Sequence, residues 1–351
     1  MSSSTQGYNI SGLRTSADAV RYLAPQCVEP FFSGESFARL LRTAEAFPAS
    51  LSLNHMFERQ LGTATSPVDF FHWLTRPRGG DFFNGHPDVL SGASEGMPEA
   101  FFQKESWQRI RRFAREWLDD DSPLHEVLGL WLEYDIRERP LDVPIPLIFF
   151  TIDQNLSPEP ALEILHHRPY ASPQLATFRR CWEALPSTSR YRTAGILYSR
   201  PTEAIRLIFI MTHDDAFRYL ERVGWPGSVN KLSERVREFL RFHTEVALHL
   251  DAHPEGVEPQ VGMEIYTDAE ALYKGITLDC EPLLNVAVEQ SLCLPELRDA
   301  LITWPGADTF QLPLGEMLRV ERKFHHVKVV SQPDLSLRAK AYTTAEFEVI
   351  K

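Results

Sequence analysis

Apolar and polar positions alternate in short paired runs along this chain. The clearest pair is the last, residues 325–342. Val327 and Val329 alternate with His326 and Lys328, the turn Gln332-Pro333-Asp334 follows, and Leu337, Ala339 and Ala341 alternate with Arg338, Lys340 and Tyr342. Side chains on a strand alternate between faces, so one face of this hairpin is apolar and the other carries cations and a phenol. Four earlier pairs read the same way: residues 50–60 with 68–75, 130–136 with 145–152, 194–199 with 205–212, and 246–252 with 260–267. Each is enriched in β-branched or aromatic residues around a connection, the pattern of an antiparallel hairpin.

Between the pairs, apolar residues recur at spacings of three and four. Residues 103–121 place Trp107, Ile110, Phe113 and Trp117 on one stripe, and residues 172–185 place Leu175, Phe178 and Trp182 on another. Amphipathic helices are predicted there and over 33–47, 214–223, 228–245, 281–290 and 293–304. The run Gly224-Trp225-Pro226-Gly227 reads as a helix stop and restart with Trp225 over the junction. The order is helix then hairpin, five times over, which predicts an α+β fold. Ten antiparallel strands are enough to close a barrel around a ligand, with helices outside. An open two-layer sheet shows the same alternation and stays an alternative.

The chain has 351 residues, with 36 Lys and Arg against 48 Asp and Glu, for a net charge of −12. That balance argues against nonspecific binding to nucleic acid or anionic lipid, which needs a basic surface, and leaves room for a local basic pocket. Cys27, Cys181, Cys280 and Cys293 are scattered, without a C-x-x-C spacing, and read as reduced thiols of a cytoplasmic protein. The N-terminal MSSSTQGYN has no basic stretch before an apolar core, and PIPLIFFTI is too short to span a bilayer.

The order of elements resembles the αββα (ABBA) prenyltransferase barrel, over about residues 33–343 and without a specific motif. The resemblance implies residues 1–32 as a partly disordered N-terminal segment and 33–351 as a single αββα-barrel domain. It implies transfer of an isoprenyl group from an isoprenyl diphosphate to an aromatic small molecule or peptide, as in specialised metabolism. Strand alternation then aims one set of side chains inward. The first pair contributes Asn54, Glu58, Phe71 and Trp73, and the second Trp131, Glu133, Asp135 and Phe149. Ser199 and Arg206 come from the third, and His249, Asp251, Glu264 and Tyr266 from the fourth. His326, Lys328, Arg338, Lys340 and Tyr342 come from the fifth.

A diphosphate leaving group needs several converging donors, and Arg206, Lys328, Arg338, Lys340, Tyr266 and Tyr342 are of that type. An allylic cation needs aromatic walls, which Trp131, Phe149, Tyr266 and Trp73 offer. Glu58 or Glu133 is the expected base. Glu133, Asp135, Asp251 and Glu264 exceed what such a pocket requires. They are expected to pair with the cations, to hold Mg²⁺, or to bind a cationic or peptide ligand. A non-catalytic binding protein, or a cyclase or isomerase on the same barrel, therefore remains open.

Other motifs carry less. Gly92-Ala93-Ser94-Glu95-Gly96 matches the serine-hydrolase elbow, but lies in loop-like sequence. Arg78-Gly79-Gly80 lacks the helix and lysine of a phosphate cradle. Residues 76–98 form a long stretch that reads as a lid or as disorder. The run Asp119-Asp120-Asp121 lacks a metal motif's second acid, and Asp121 or Ser122 before Pro123 reads as a helix cap. Neighbours on a strand face opposite ways, so His325 and His326 are not expected to share a metal.

Overall fold

The strands expected from alternation form and close on one another. In the computed structural model, which describes residues 12–27, 29–76, 82–83, 98–136, 141–153, 156–266 and 280–350, the hairpins are β1 (Asn54–Gln60) with β2 (Val68–Leu74), β3 (Val127–Tyr134) with β4 (Leu147–Ile152), and β5 (Arg190–Ile196) with β6 (Ile205–Thr212). β7 (Glu245–His253) with β8 (Gly256–Ile265) follows, then a short β9 (Gly306–Gln311) and the long pair β10 (Met317–Ser331) and β11 (Leu337–Ile350). Every neighbour is antiparallel, and β11 pairs with both β10 and β1, which closes a ten-stranded barrel. The open sheet is thereby excluded.

The last hairpin runs well beyond residues 325–342. Its outer half, with β9 along β10, forms a three-stranded extension in which Met317 pairs with both Ile350 and Gln311. Alternation hid it because Arg322 sits on the apolar face. Arg322 is buried and tied to the Trp304 carbonyl and to Asp308.

Helices wrap the barrel and bury their stripes on its outer face. They include α1 (Ser16–Arg21), α2 (Gly34–Ala44), α3 (Glu99–Phe102), α4 (Glu105–Leu118), α5 (Glu159–Leu165) and α6 (Ala176–Glu183). Then come α7 (His213–Arg222), α8 (Val229–Leu240), α9 (Glu281–Glu289) and α10 (Pro295–Thr303). Ser33 caps α2 by accepting from the Ser36 amide. In α4, Trp107, Ile110, Phe113 and Trp117 are all buried. The two indoles donate to the Pro144 and Val127 carbonyls, so each buried ring keeps a partner for its N–H. Trp225 packs over the Gly224–Gly227 junction and donates to Pro259. Ser122 does cap, but it caps a single 3₁₀ turn over Pro123–Glu126.

The apolar strand residues that alternate with the inward set, such as Leu132, Leu207, Leu248 and Val327, share one core with the helices. The N-terminal segment joins that core from Leu13 onward, through Ala17, Val20, Phe31 and Phe32. All four cysteines are free. Among the described residues no helix is long and apolar enough to cross a membrane. The G-x-S-x-G match, Arg78-Gly79-Gly80 and most of residues 76–98 lie outside the described residues.

Candidate functional site

The barrel holds two chambers that meet at a charged layer. The larger, about 380 Å³, is aromatic: Phe71, Trp73, Trp131, Phe149, Tyr266 and Tyr342 line it. Trp73 and Trp131 pack with their rings tilted by 43° and centroids 4.4 Å apart. Glycines on neighbouring strands make room, since a Cβ on Gly129 would lie 2.0 Å from Trp73 and one on Gly195 2.3 Å from Phe149. The smaller chamber, about 130 Å³, is polar, with Gln60, Arg200, Asp251, Gln260, Arg338 and Lys340 on its walls. Arg206, His249 and Lys328 line both.

Paired charges form the layer. Arg206 on β6 holds Asp251 on β7 through two bonds, of 2.7 and 2.8 Å. Burial works against the Arg206 charge, and Asp251 more than restores it. Lys328 reaches from β10 across β8 to donate to His249 Nδ1 at 2.7 Å. That crossing is open only because β8 has Gly262 there, where a Cβ would lie 2.7 Å from Lys328 Cε. His249 Nε2 lies 2.6 Å from Glu264 Oε1, and Tyr266 donates to Glu264 Oε2 at 2.7 Å. Burial, helped by nearby Arg206, pulls Lys328 down to about 8 although Glu264 opposes it. Burial also pulls His249 down to about 4.

On the opposite wall, Glu58 accepts from Lys340 at 2.5 Å and from Tyr342. Burial would raise this carboxyl, but Lys340, Lys328 and the two bonds outweigh it and hold Glu58 at about 2. Glu133 differs. Arg200 gives its fork to Asp135, at 3.1 and 2.7 Å, and reaches Glu133 only at 3.3 Å. Burial first, then the Glu58 charge, push Glu133 up to about 7.

Of the residues that alternation aimed inward, Phe71, Trp73, Trp131, Glu133, Phe149, Arg206, His249, Glu264, Tyr266, His326, Lys328 and Tyr342 line the aromatic chamber and Asp251, Arg338 and Lys340 the polar one, whereas Asn54, Glu58, Asp135 and Ser199 line neither. Glu58, Arg206, Glu264, Lys328 and Lys340 sit in the layer or beside it, and Arg338 lies at the exposed rim of the polar chamber. The cations do not stand as a bare anion wall, because Asp251, Glu58 and Glu264 neutralise most of them. Among the described residues no group of three acidic, histidine or cysteine side chains is arranged to hold a metal ion. The opposite facing expected of His325 and His326 is overturned. His325 and His326 face the same chamber, with their Nδ1 atoms 2.6 Å apart, because β10 bulges between Phe324 and His326 and inserts an extra residue.

Neutral lining residues such as Thr151, Thr193, Gln60 and Gln260 escaped the sequence, and so did two charged ones. Asp69 faces Glu58 across β1 and β2, and burial followed by the Glu58 and Asp135 charges raises its carboxyl well above the usual range. Its alternation with Phe71 and Trp73 was a signal available for it. Arg200 falls in the connection between residues 194–199 and 205–212, and no periodicity aims a turn side chain.

Comparison with protein-family models and with curated protein sequences found no match. Solved structures do resemble the chain. A 6-dimethylallyl tryptophan synthase superposes with a TM-score of 0.52 at 12% identity, covering 95% of this chain and 96% of that one. AnaPT from Neosartorya fischeri gives 0.52 at 10% identity, covering 96% and 92%. The chain has the αββα prenyltransferase-barrel fold. Coverage runs nearly end to end on both sides, so the likeness concerns the whole barrel, and at this identity it concerns the fold alone.

Proposed function

We propose that this barrel transfers an isoprenyl group from an allylic diphosphate to an aromatic acceptor, either a small molecule or a peptide side chain. The observation that carries the reading is the junction of the two chambers. An aromatic cavity meets a cation-bearing polar one at Lys328 and Arg206. An allylic diphosphate has the same division, with an apolar chain at one end and an anion at the other.

In this reading the diphosphate sits in the polar chamber, where Lys328, Lys340, Arg338 and Arg200 offer N–H donors. Charge developing on the leaving oxygens as the C–O bond breaks is stabilised by donors already in place. The allylic cation remains between Trp131, Phe149 and Tyr342, whose π faces favour positive charge. The acceptor attacks from the aromatic side. Glu133, close to neutral range, takes its proton, because a base works best with a pKa near the working pH. Glu58 is already committed to Lys340 and Tyr342 and serves to hold the acceptor's N–H or O–H.

The test is a thermal-shift titration with dimethylallyl, geranyl and farnesyl diphosphate, with and without Mg²⁺, against inorganic pyrophosphate. One isoprenyl diphosphate should raise the melting temperature beyond pyrophosphate, since a ligand of the folded state alone stabilises it. Lys328→Ala should weaken that ligand about tenfold or more. Silence with all three diphosphates sinks the reading. It would favour a cationic or peptide ligand instead, which the surplus carboxyls Asp69 and Glu133 suit.

A further inference from the structure

Among the described residues, the lumen and its charged layer hold more carboxyls than lysines and arginines. Among the described residues, Glu58, Asp135, Asp251 and Glu264 have Lys340, Arg200, Arg206 and Lys328 within ion-pair range. Asp69 has no cation in that range among the described residues, and Glu133 has only Arg200, at 3.3 Å, which it shares with Asp135. Asp69 accepts only the Ile136 amide at 2.8 Å, and Glu133 takes the one long contact left over from Arg200. Carboxyls this crowded in a buried layer cannot all be ionised together. Of the two in excess, Glu133 lines the aromatic chamber. It stands opposite Phe71 on β2 and two residues from Trp131, which faces Phe149 on β4. A carboxylic acid is thus set into an aromatic wall, beside the space that the reading above gives to the prenyl group.

We infer that Glu133 also delivers a proton to the double bond of a prenyl group held in the aromatic chamber, so that the barrel closes a ring between that group and a neighbouring hydroxyl. The inference rests on the transferase reading only for the origin of the prenyl group. During transfer, Glu133 collects the acceptor's proton, and that proton is left beside the new alkene. The Glu133 O–H bond then breaks as a C–H bond forms at the less substituted alkene carbon. The tertiary cation that results is stabilised by the surrounding rings. An oxygen of the hydroxyl adds to it, and the hydroxyl proton returns to the Glu133 carboxylate. The step is an isomerisation and needs no oxidant, reductant or co-reactant.

The experiment uses 2-(3-methylbut-2-enyl)phenol, which already carries its prenyl group, with the full-length protein in H₂O and in D₂O at pH 6–8. The expected product is 2,2-dimethylchroman, with one deuterium on the ring carbon that was the alkene CH. Glu133→Gln should slow ring closure by about 10²-fold or more, while the probe still quenches tryptophan fluorescence and the variant still melts cooperatively. Closure no faster than in buffer, closure by Glu133→Gln at the wild-type rate, or chroman without deuterium would each overturn the inference. No diphosphate is involved, so failure here with prenyl transfer intact refutes ring closure alone. Ring closure without any transfer refutes only the reading above.

Discussion

Glu58 and Glu133 are the same residue type on the lumen side of one sheet, yet their surroundings give them opposite acidities. Lys340 and Tyr342 grip Glu58 and keep it ionised, whereas Glu133 has lost most of its cation to Asp135. A carboxyl raised to about 7 in the fold and near 4.5 when unfolded binds more protons in the native state between those values. It therefore costs stability as pH rises through that window, and the cost is complete above about 7. Glu133→Gln should leave stability nearly unchanged at pH 4.5. By pH 8 it should gain on the order of 2 kcal/mol relative to wild type. Urea midpoints of both proteins across this range measure the difference. A gap that narrows with rising pH would contradict the assignment.

At the scale of an element, the bulge in β10 is the feature that shapes the chamber wall. Phe324 pairs with Thr343 and His326 with Tyr342, so His325 is the one residue without a place in the ladder. Removing it leaves both flanking registers intact and turns a bulged strand into a regular one. Removing Val327 instead either reverses the faces of Lys328, Val329 and Val330 or, where the bulge absorbs the loss, sets His326 into Val327's place in the apolar core. Deletion of His325 should therefore give a folded barrel whose melting temperature falls by several degrees, through loss of local twist. Deletion of Val327 should give no cooperative transition. Circular dichroism melts of the two variants make the comparison, and equal damage from both would show that the bulge does not carry the register.

For the whole molecule, buried histidines set the response to acid. His55 and His72 lie in the core between sheet and helices, and His249 and His325 lie in the lumen wall. Burial lowers His55 to about 3, His249 to about 4, His325 to about 3, and His72 well below its usual value. Unfolded histidines take up protons near 6.5, so stability is full above that pH and is lost as pH falls from 6.5 toward 4. The lowered carboxyls Asp135, Asp251 and Glu264 act in the same direction at lower pH, while Asp69 and Glu133 act against it. Each histidine contributes up to about 1.4 kcal/mol per pH unit in this window. The unfolding free energy should thus fall steeply below pH 6, and a flat profile down to pH 4.5 would refute the neutral assignment of these rings.

Alternation and helical spacing were properties of the chain itself, and they survive folding because strand and helix geometry fix which side chains share a face. That is why the five hairpins, the apolar stripes, and the inward placement of Glu58, Glu133, Arg206, Lys328 and Tyr342 were all legible. Tertiary structure decided what periodicity cannot express. Closure came from β11 meeting β1 across nearly the whole length of the chain. The bulge placed His325 beside His326, and the turn residue Arg200 took Asp135 and left Glu133 short of charge. Each of these depends on distances between residues remote in sequence. The identity of an ionisable group is written in the chain, but its charge state is set by the neighbours that the closed barrel brings within a few ångströms.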